Sequence, residues 1–254
     1  MLCNSVDFKG DLLLKKAYWF VIITYLAMQL SSFIGVPIFI YIGEALGAPI
    51  DGLRLQAFAY WSVFSFCIAL LIVLFFMRHD MKEHAVTRNQ ASSIPLSIFW
   101  AIFGIFLALF AQSIAVMIEQ QMGIHAESAN TQEILSIIKQ VPLMIIVSSI
   151  IGPILEEVIF RKIIFGSLYK RFNFFISALI SSVIFGLAHM EFVHLLLYSA
   201  MGFTFAFLYV KTKRIIVPIV AHVSMNTFVA VIQIYQQEIE IFLKNTQAFI
   251  GGFL

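Results

Sequence analysis

Charge is scarce in this chain. Of its 254 residues only 12% are Asp, Glu, Lys or Arg, against about 25% in an average soluble domain. So little charge cannot solvate a disordered chain or the outside of an ordinary soluble enzyme, and both classes fall away. Cysteine is nearly absent as well. Cys3 and Cys67 are far apart and Cys67 lies in an apolar run, so neither a disulfide framework nor a cysteine-based metal site follows. The net charge is only +2, which offers nucleic acid no basic surface. Segments of about ten residues with period-2 alternation are missing too, which disfavours a transmembrane β-barrel.

What is abundant is apolar surface. Hydrophobic residues make up 61% of the chain, 27 of them Phe, and mean hydropathy is +0.96. A membrane helix needs about 20 mostly apolar residues to cross a hydrocarbon core of roughly 30 Å. Segments 18–42, 56–77, 94–118, 142–160, 172–190, 194–210 and 215–235 answer that description. The expectation is an all-α, polytopic membrane helix bundle of seven to eight transmembrane helices, forming one domain over 1–254. The first segment is too long for a cleavable signal and has no clear small-residue cleavage site.

The basic residues orient the bundle. Lys9, Lys15 and Lys16 precede the first segment, and Arg78, Lys82 and Arg88 follow the second. Arg161, Lys162, Lys170 and Arg171 follow the fourth, and Lys211, Lys213 and Arg214 follow the sixth. Thirteen of sixteen thus fall on one side, leaving Arg54, Lys139 and Lys244 on the other. The positive-inside rule then places the N-terminus in the cytoplasm and the C-terminus outside. Between the third and fourth segments, Asn130 and Glu133 stand at capping-box spacing ahead of Ile134, Leu135, Ile137 and Ile138. That pattern predicts a short amphipathic helix over 131–140, lying on the membrane surface.

Ionisable groups inside apolar segments cost about 2.5–3.5 kcal/mol each to insert, and so are functional candidates. Glu156 and Glu157 lie in the fourth segment, with Arg161 four residues beyond Glu157, the favourable helical spacing for an ion pair. Glu156 projects about 100° away from that pair. Glu157 is therefore expected to be held ionised by Arg161, which leaves Glu156 free as a proton acceptor or donor. His189 ends the fifth segment four residues after Phe185, and His222 and Asn226 share one face of the seventh. His194 reads as a packed residue. Glu156 lies 16 residues before Phe172 and His189 lies 17 after it, so both stand about 25 Å from the intervening turn. Measured from Thr212, His222 and Asn226 lie about 15 and 21 Å in. The four groups can meet inside the bundle.

This set suits attack of water on a peptide carbonyl. Glu156 and His189 would hold and deprotonate the water. His222 and Asn226 would stabilise the oxyanion, a contribution of roughly 2.7–4 kcal/mol for one such donor. Glu157 and Arg161 would fix the helix that carries the base. The serines of these segments lack a Gly-x-Ser-x-Gly setting, which disfavours a serine nucleophile. There is no His-Glu-x-x-His either, but Glu156, His189 and His222 match a two-histidine, one-carboxylate zinc set. Metal-free and metal-bound water both stay open on the residues alone.

These motifs resemble those of the CPBP intramembrane proteases, the family of the CAAX prenyl endopeptidases and the bacterial Abi, or bacteriocin-processing, proteins. Its pattern stands here as Glu156-Glu157-Val158-Ile159-Phe160-Arg161, Phe185-Gly186-Leu187-Ala188-His189 and His222-Val223-Ser224-Met225-Asn226, with no departure at the motif positions. The resemblance covers about 130–235 as a catalytic core; 1–129 match only in general membrane character. It implies a proteolytic site in which Glu156 and His189 hold the water and His222 and Asn226 bind the oxyanion. No cofactor is favoured, although zinc is the usual alternative. The implied substrate is a hydrophobic or lipidated peptide, such as a CAAX-like, bacteriocin or pheromone precursor, and the implied setting is a bacterial cell membrane. Two rival readings use the same polar groups. One is a non-catalytic binding, regulatory or immunity protein; the other is a proton-coupled carrier, which the lack of an inverted repeat disfavours.

Overall fold

The computed structural model describes residues 6–49, 52–86, 91–126 and 128–251, and no strand occurs among them. Arg88 lies outside the described residues, as do Cys3 and the side chains of Lys9, Lys15 and Lys82. Helices α1 (Val6–Ala45), α2 (Leu53–Val86) and α3 (Ile94–Gln121) are followed by a shorter α4 (Ala129–Gln140). An unbroken helical stretch over 144–169, here α5, leads to α6 (Phe174–Ala188), a single 3-10 turn (Phe192–His194) and α7 (Leu195–Thr212). Helices α8 (Ile216–Ile234) and α9 (Gln236–Gly251) complete the described chain.

All seven segments anticipated as spans are helical. Five helices are long and apolar enough to cross a membrane: Lys16–Ala45, Leu53–Arg78, Ile94–Gln121, Phe192–Thr212 and Ile216–Ile234. Their outer faces carry exposed Phe33, Leu71, Phe106 and Phe110, as a lipid-facing surface requires. Helix α7 lies at the centre, flanked by α3, α6 and α8, while α1 packs along α2. The close crossings rest on small residues, which let membrane helices approach. Gly202 of α7 lies against Ser182 of α6, and Gly104 of α3 lies against Leu208 and Ala221.

Helix α6 is the short one. Its 15 residues extend about 22 Å, less than a hydrocarbon core of roughly 30 Å. The chain turns back at the end of this helix through Met190 in the left-handed region (φ 56°). A helix end in apolar surroundings has carbonyls to satisfy. The backbone N–H of His189 donates to Gly186 O at 3.2 Å, and that of Met190 to Leu187 O at 3.1 Å. The start of α6 is closed by Asn173, whose side chain accepts from the Ile176 N–H at 3.0 Å.

Helix α4 departs from expectation in two respects. Its N-cap is Ser128, which accepts from the Thr131 N–H, and not Asn130 with Glu133. Nor is its apolar face turned to lipid: Leu135, Ile137 and Ile138 are buried, and the two isoleucines pack with Ala59, Val141, Met144 and Val147. The amphipathic pattern was legible, but its partner is the bundle itself. Its polar residues face a cavity described below.

The Gly202–Ser182 crossing leads to a prediction. A Cβ on Gly202 would stand 3.0 Å from the Ser182 Cβ and 3.1 Å from its Cα, contacts that only a helix shift can relieve. Gly202→Val is expected to destabilise the protein by about 1–3 kcal/mol, read as a lower thermal unfolding midpoint in detergent.

Candidate active site

The site begins with two wide π-helical stretches in α5, Val147–Ile151 and Glu157–Phe165. π-Turns inside α-helices are rare and concentrate at functional sites. Here they separate the fates of two adjacent carboxylates. Glu157 is fully buried, whereas the Glu156 side chain keeps 19% of its exposure and lines a cavity. The expected Glu157–Arg161 pair is present, with Oε2 3.2 Å from Nε and both side chains sealed from solvent. That approach is a charge contact only, since no guanidinium nitrogen makes an aligned hydrogen bond within the protein. Instead the Arg161 guanidinium lies over the ring faces of Phe185 at 4.3 Å and Phe205 at 5.3 Å, a cation–π arrangement that strengthens when desolvated.

The other Glu157 oxygen holds His222. Its Oε1 lies 2.9 Å from Nδ1, and an ionised carboxylate can only accept, so Nδ1 carries the proton. The Nε2 then faces the Glu156 carboxylate, 3.8 Å away. The His222 ring stacks on Phe205 at 4.5 Å and meets the edge of Phe185 at 6.0 Å. This Glu157–His222 bond was not anticipated; the sequence spacing pairs His222 with Asn226. Asn226 reaches the carbonyl of Ser148 at 3.4 Å through Nδ2 and lines the same cavity.

His189 caps the helix it ends. Its Nδ1 lies 2.9 Å from Phe185 O, and a carbonyl accepts only, so Nδ1–H donates and Nε2 is left with a lone pair. The ring rests against Tyr198 at 4.0 Å, nearly parallel, and against the edge of Phe185 at 4.6 Å. Phe185 thus touches His189, His222 and Arg161 together, which explains why an aromatic stands at that motif position.

These residues open onto a cavity of about 530 Å³ lined by Glu156, His189, His222 and Asn226, within the usual range for a ligand site, about 300–1,000 Å³. Helix α4 forms one wall with Asn130, Thr131 and Gln132. The structure therefore brings together all four residues expected at the site, although no hydrogen bond joins Glu156 to His189 among the described contacts.

Residues 138–228 match a family described as type II CAAX prenyl endopeptidase, Rce1-like. The chain is 54% identical to the membrane peptidase YdiL of Bacillus subtilis over 94% of its length and 99% of that protein. It is 33% identical to the membrane-embedded CAAX protease MroQ of Staphylococcus aureus, over 87% of this chain and 91% of that one. The chain belongs to the Rce1-like CAAX protease family. It is a membrane peptidase. A 31% identity to the UPF0177 protein YxdF of Lactococcus lactis covers 52% of this chain and 74% of that protein. No solved structure matches the chain. The three motifs of the CAAX protease resemblance all fall inside the matched 138–228.

Three polar groups at this end of the bundle escaped the sequence reading. Glu119 is buried and accepts from the Leu197 N–H at 3.0 Å while holding His194 Nδ1 at 2.8 Å, which gives His194 the packed role expected of it. Glu191 accepts from the Ala129 N–H at 2.7 Å, Ser128 Oγ at 2.6 Å and Tyr198 OH at 2.9 Å, closing the start of α4, where a carboxylate is favoured. Burial pushes the Glu191 carboxyl up, but its hydrogen bonds from Ser128, Tyr198, Ala129 and Asn130 outweigh that and hold it below the usual carboxylate range. Tyr198 joins this cap to His189. A lone acid in a short loop carries no sequence signal for such a partner.

Removing the buried cation tests the architecture. Arg161→Met leaves the Glu157 charge without a counterion and is expected to cost about 3–5 kcal/mol in detergent unfolding. Arg161→Met combined with Glu157→Gln should recover a good part of that loss.

Proposed function

We propose that this CAAX protease relative is an intramembrane endopeptidase that hydrolyses a peptide bond in a hydrophobic, membrane-associated peptide by a water activated on Glu156. The observation that carries this reading is the placement of the Glu156 carboxylate. It is half-buried on the wall of a polar cavity, 3.8 Å from His222 Nε2, with His189 and Asn226 on the same cavity. Glu156 takes a proton from the water as the water oxygen attacks the carbonyl carbon, and His189 Nε2 accepts the water's second hydrogen bond. The oxyanion is met by the Asn226 amide, freed from its long contact to Ser148, and by His222 in its doubly protonated form, which takes its Nε2 proton from solvent before the attack and keeps it through the cycle. Glu156 then returns its proton to the leaving nitrogen, and the tetrahedral intermediate collapses to acid and amine. Glu157 and Arg161 touch no reacting atom and serve to orient His222.

The residues do not fit a zinc centre as they stand. Among the described residues no three His, Cys, Asp or Glu side chains converge as a ligand set, even though the Nδ1 hydrogen bonds of His189 and His222 leave Nε2 of each free, as a ligating histidine requires. No step is therefore routed through a metal. The substrate class is a hydrophobic or lipidated peptide of the CAAX, bacteriocin or pheromone-precursor kind, in keeping with the CAAX protease name of the Staphylococcus relative. The bacterial sources of the relatives support a bacterial cell membrane as the setting.

The face on which the site opens follows from the basic residues. Lys16, Lys170, Arg171, Lys211, Lys213 and Arg214 gather at one set of helix ends, with Arg78 closing the span of α2 at the same end. The cavity draws on the opposite ends: the start of α2, α5 and α7 and the end of α3, α6 and α8. A cytoplasmic basic end therefore puts the cavity mouth and α4 on the outer face.

Two measurements test these statements. With purified protein and a quenched-fluorophore library of hydrophobic peptides, Glu156→Gln should lower the rate of cleavage by about 10²–10⁴-fold, and a chelator should leave the wild-type rate unchanged. Equal product from wild type and Glu156→Gln removes Glu156 as the base. In cells, reporter fusions after Gln132 should score as external; a cytoplasmic signal there reverses the orientation.

A further inference from the structure

The His189 imidazole has three neighbours that fix its plane, and two of them, the carbonyl and the ring of Phe185, come from its own helix. The third comes from α7. Tyr198 lies face to face with the imidazole, ring centroids 4.0 Å apart and planes 20° from parallel. Its side chain is itself buried on the cavity wall, 6% exposed. At its far end the Tyr198 hydroxyl donates to Glu191 Oε2 at 2.9 Å, and the same oxygen accepts from Ser128 Oγ, the N-cap of α4. The tyrosine is thus pinned at both ends, and a pinned ring leaves the imidazole one orientation. A His at the end of a helix that stops inside the bundle otherwise has freedom about both side-chain torsions.

We propose that Tyr198 is a positioning residue for the hydrolytic reaction: its ring, fixed by the hydroxyl bond to Glu191, holds the His189 imidazole with Nε2 turned to the water on Glu156. The proposal rests on the role given to His189 under Proposed function. Tyr198 touches no reacting atom and acts only through His189. The same side chain joins the catalytic wall to the start of α4, so the segment that covers the cavity and the imidazole that works in it share one support.

The test uses the full-length protein in detergent and the most rapidly cleaved member of the hydrophobic peptide library. Tyr198→Leu removes the aromatic face, Tyr198→Phe keeps it, and His189→Ala and Glu156→Gln are measured beside them. A misplaced catalytic group costs up to about a hundredfold, so Tyr198→Leu should lower kcat by about ten- to a hundredfold with little change in KM. Tyr198→Phe keeps the ring and loses only its hydroxyl bond to Glu191, so its kcat should recover to within a few-fold below wild type; the ring-current shift separates an aromatic support from packing volume alone. Independently of cleavage, the carbon-bound protons of the His189 ring, assigned with His189→Gln in histidine-labelled protein, should show an upfield ring-current shift. That shift should persist in Tyr198→Phe and vanish in Tyr198→Leu. An unshifted His189 signal in the wild-type protein overturns the proposal whether or not any variant folds. So does wild-type kcat in Tyr198→Leu while His189→Ala is inactive. Full cleavage by His189→Ala is a different failure: it removes the proposed role of His189, and with it anything to position.

Discussion

The buried charge contact between Glu157 and Arg161 is the constraint from which the rest of the site follows. Two fully buried ions in an apolar bundle are tolerated only while each keeps its counterpart. Within the protein the guanidinium finds no aligned hydrogen bond, so it rests on the faces of Phe185 and Phe205. Those rings come from α6 and α7, and the second oxygen of Glu157 takes His222 from α8. One carboxylate and one cation on α5 therefore fix the register of three neighbouring helices. The histidine that faces Glu156 is oriented as a consequence, not as a separate feature.

A second constraint is the shortness of α6. A helix that ends within the bundle leaves carbonyls that need donors, and His189 supplies one with its own side chain. The same hydrogen bond fixes the tautomer, leaving Nε2 as the nitrogen available to the cavity. The reversal that follows brings Glu191 up to the start of α4 and His194 up to Glu119. Structural polar pairs and proposed catalytic groups thus arise at one reversal of the chain, where polar backbone has to be satisfied anyway. A water-bearing cavity is most readily built at such a place, and it is there that the peptidase carries its motif residues.

Much of this was legible in the sequence because charge is so rare. Each ionisable residue in an apolar run had to be explained, and Glu156, Glu157, Arg161, His189, His222 and Asn226 all come together at one cavity or directly behind it. The all-α membrane bundle was legible for the same reason, since long apolar runs have few alternatives to a spanning helix. What could not be read was partnership across the chain. Nothing in the spacing joins His222 to Glu157, 65 residues apart, or Glu191 to the amide of Ala129, 62 apart. Helix α4 shows the limit most clearly. Its amphipathic pattern was plain, but a pattern states only that one face is apolar, and protein and lipid satisfy that face equally well. The π-turns in α5 have no sequence signature either, and they help give two adjacent glutamates such different surroundings.

Hydrolysis by this arrangement requires the scissile bond to sit between Glu156 and the His222–Asn226 pair. A structure of the Glu156→Gln protein with an uncleaved hydrophobic peptide bound tests it most directly. The peptide's carbonyl carbon should lie about 3–3.5 Å from a water held by residue 156 and His189, with its oxygen directed at His222 and Asn226. A peptide bound along the outer face of the bundle, or in the cavity with its carbonyls turned away from His222 and Asn226, contradicts it.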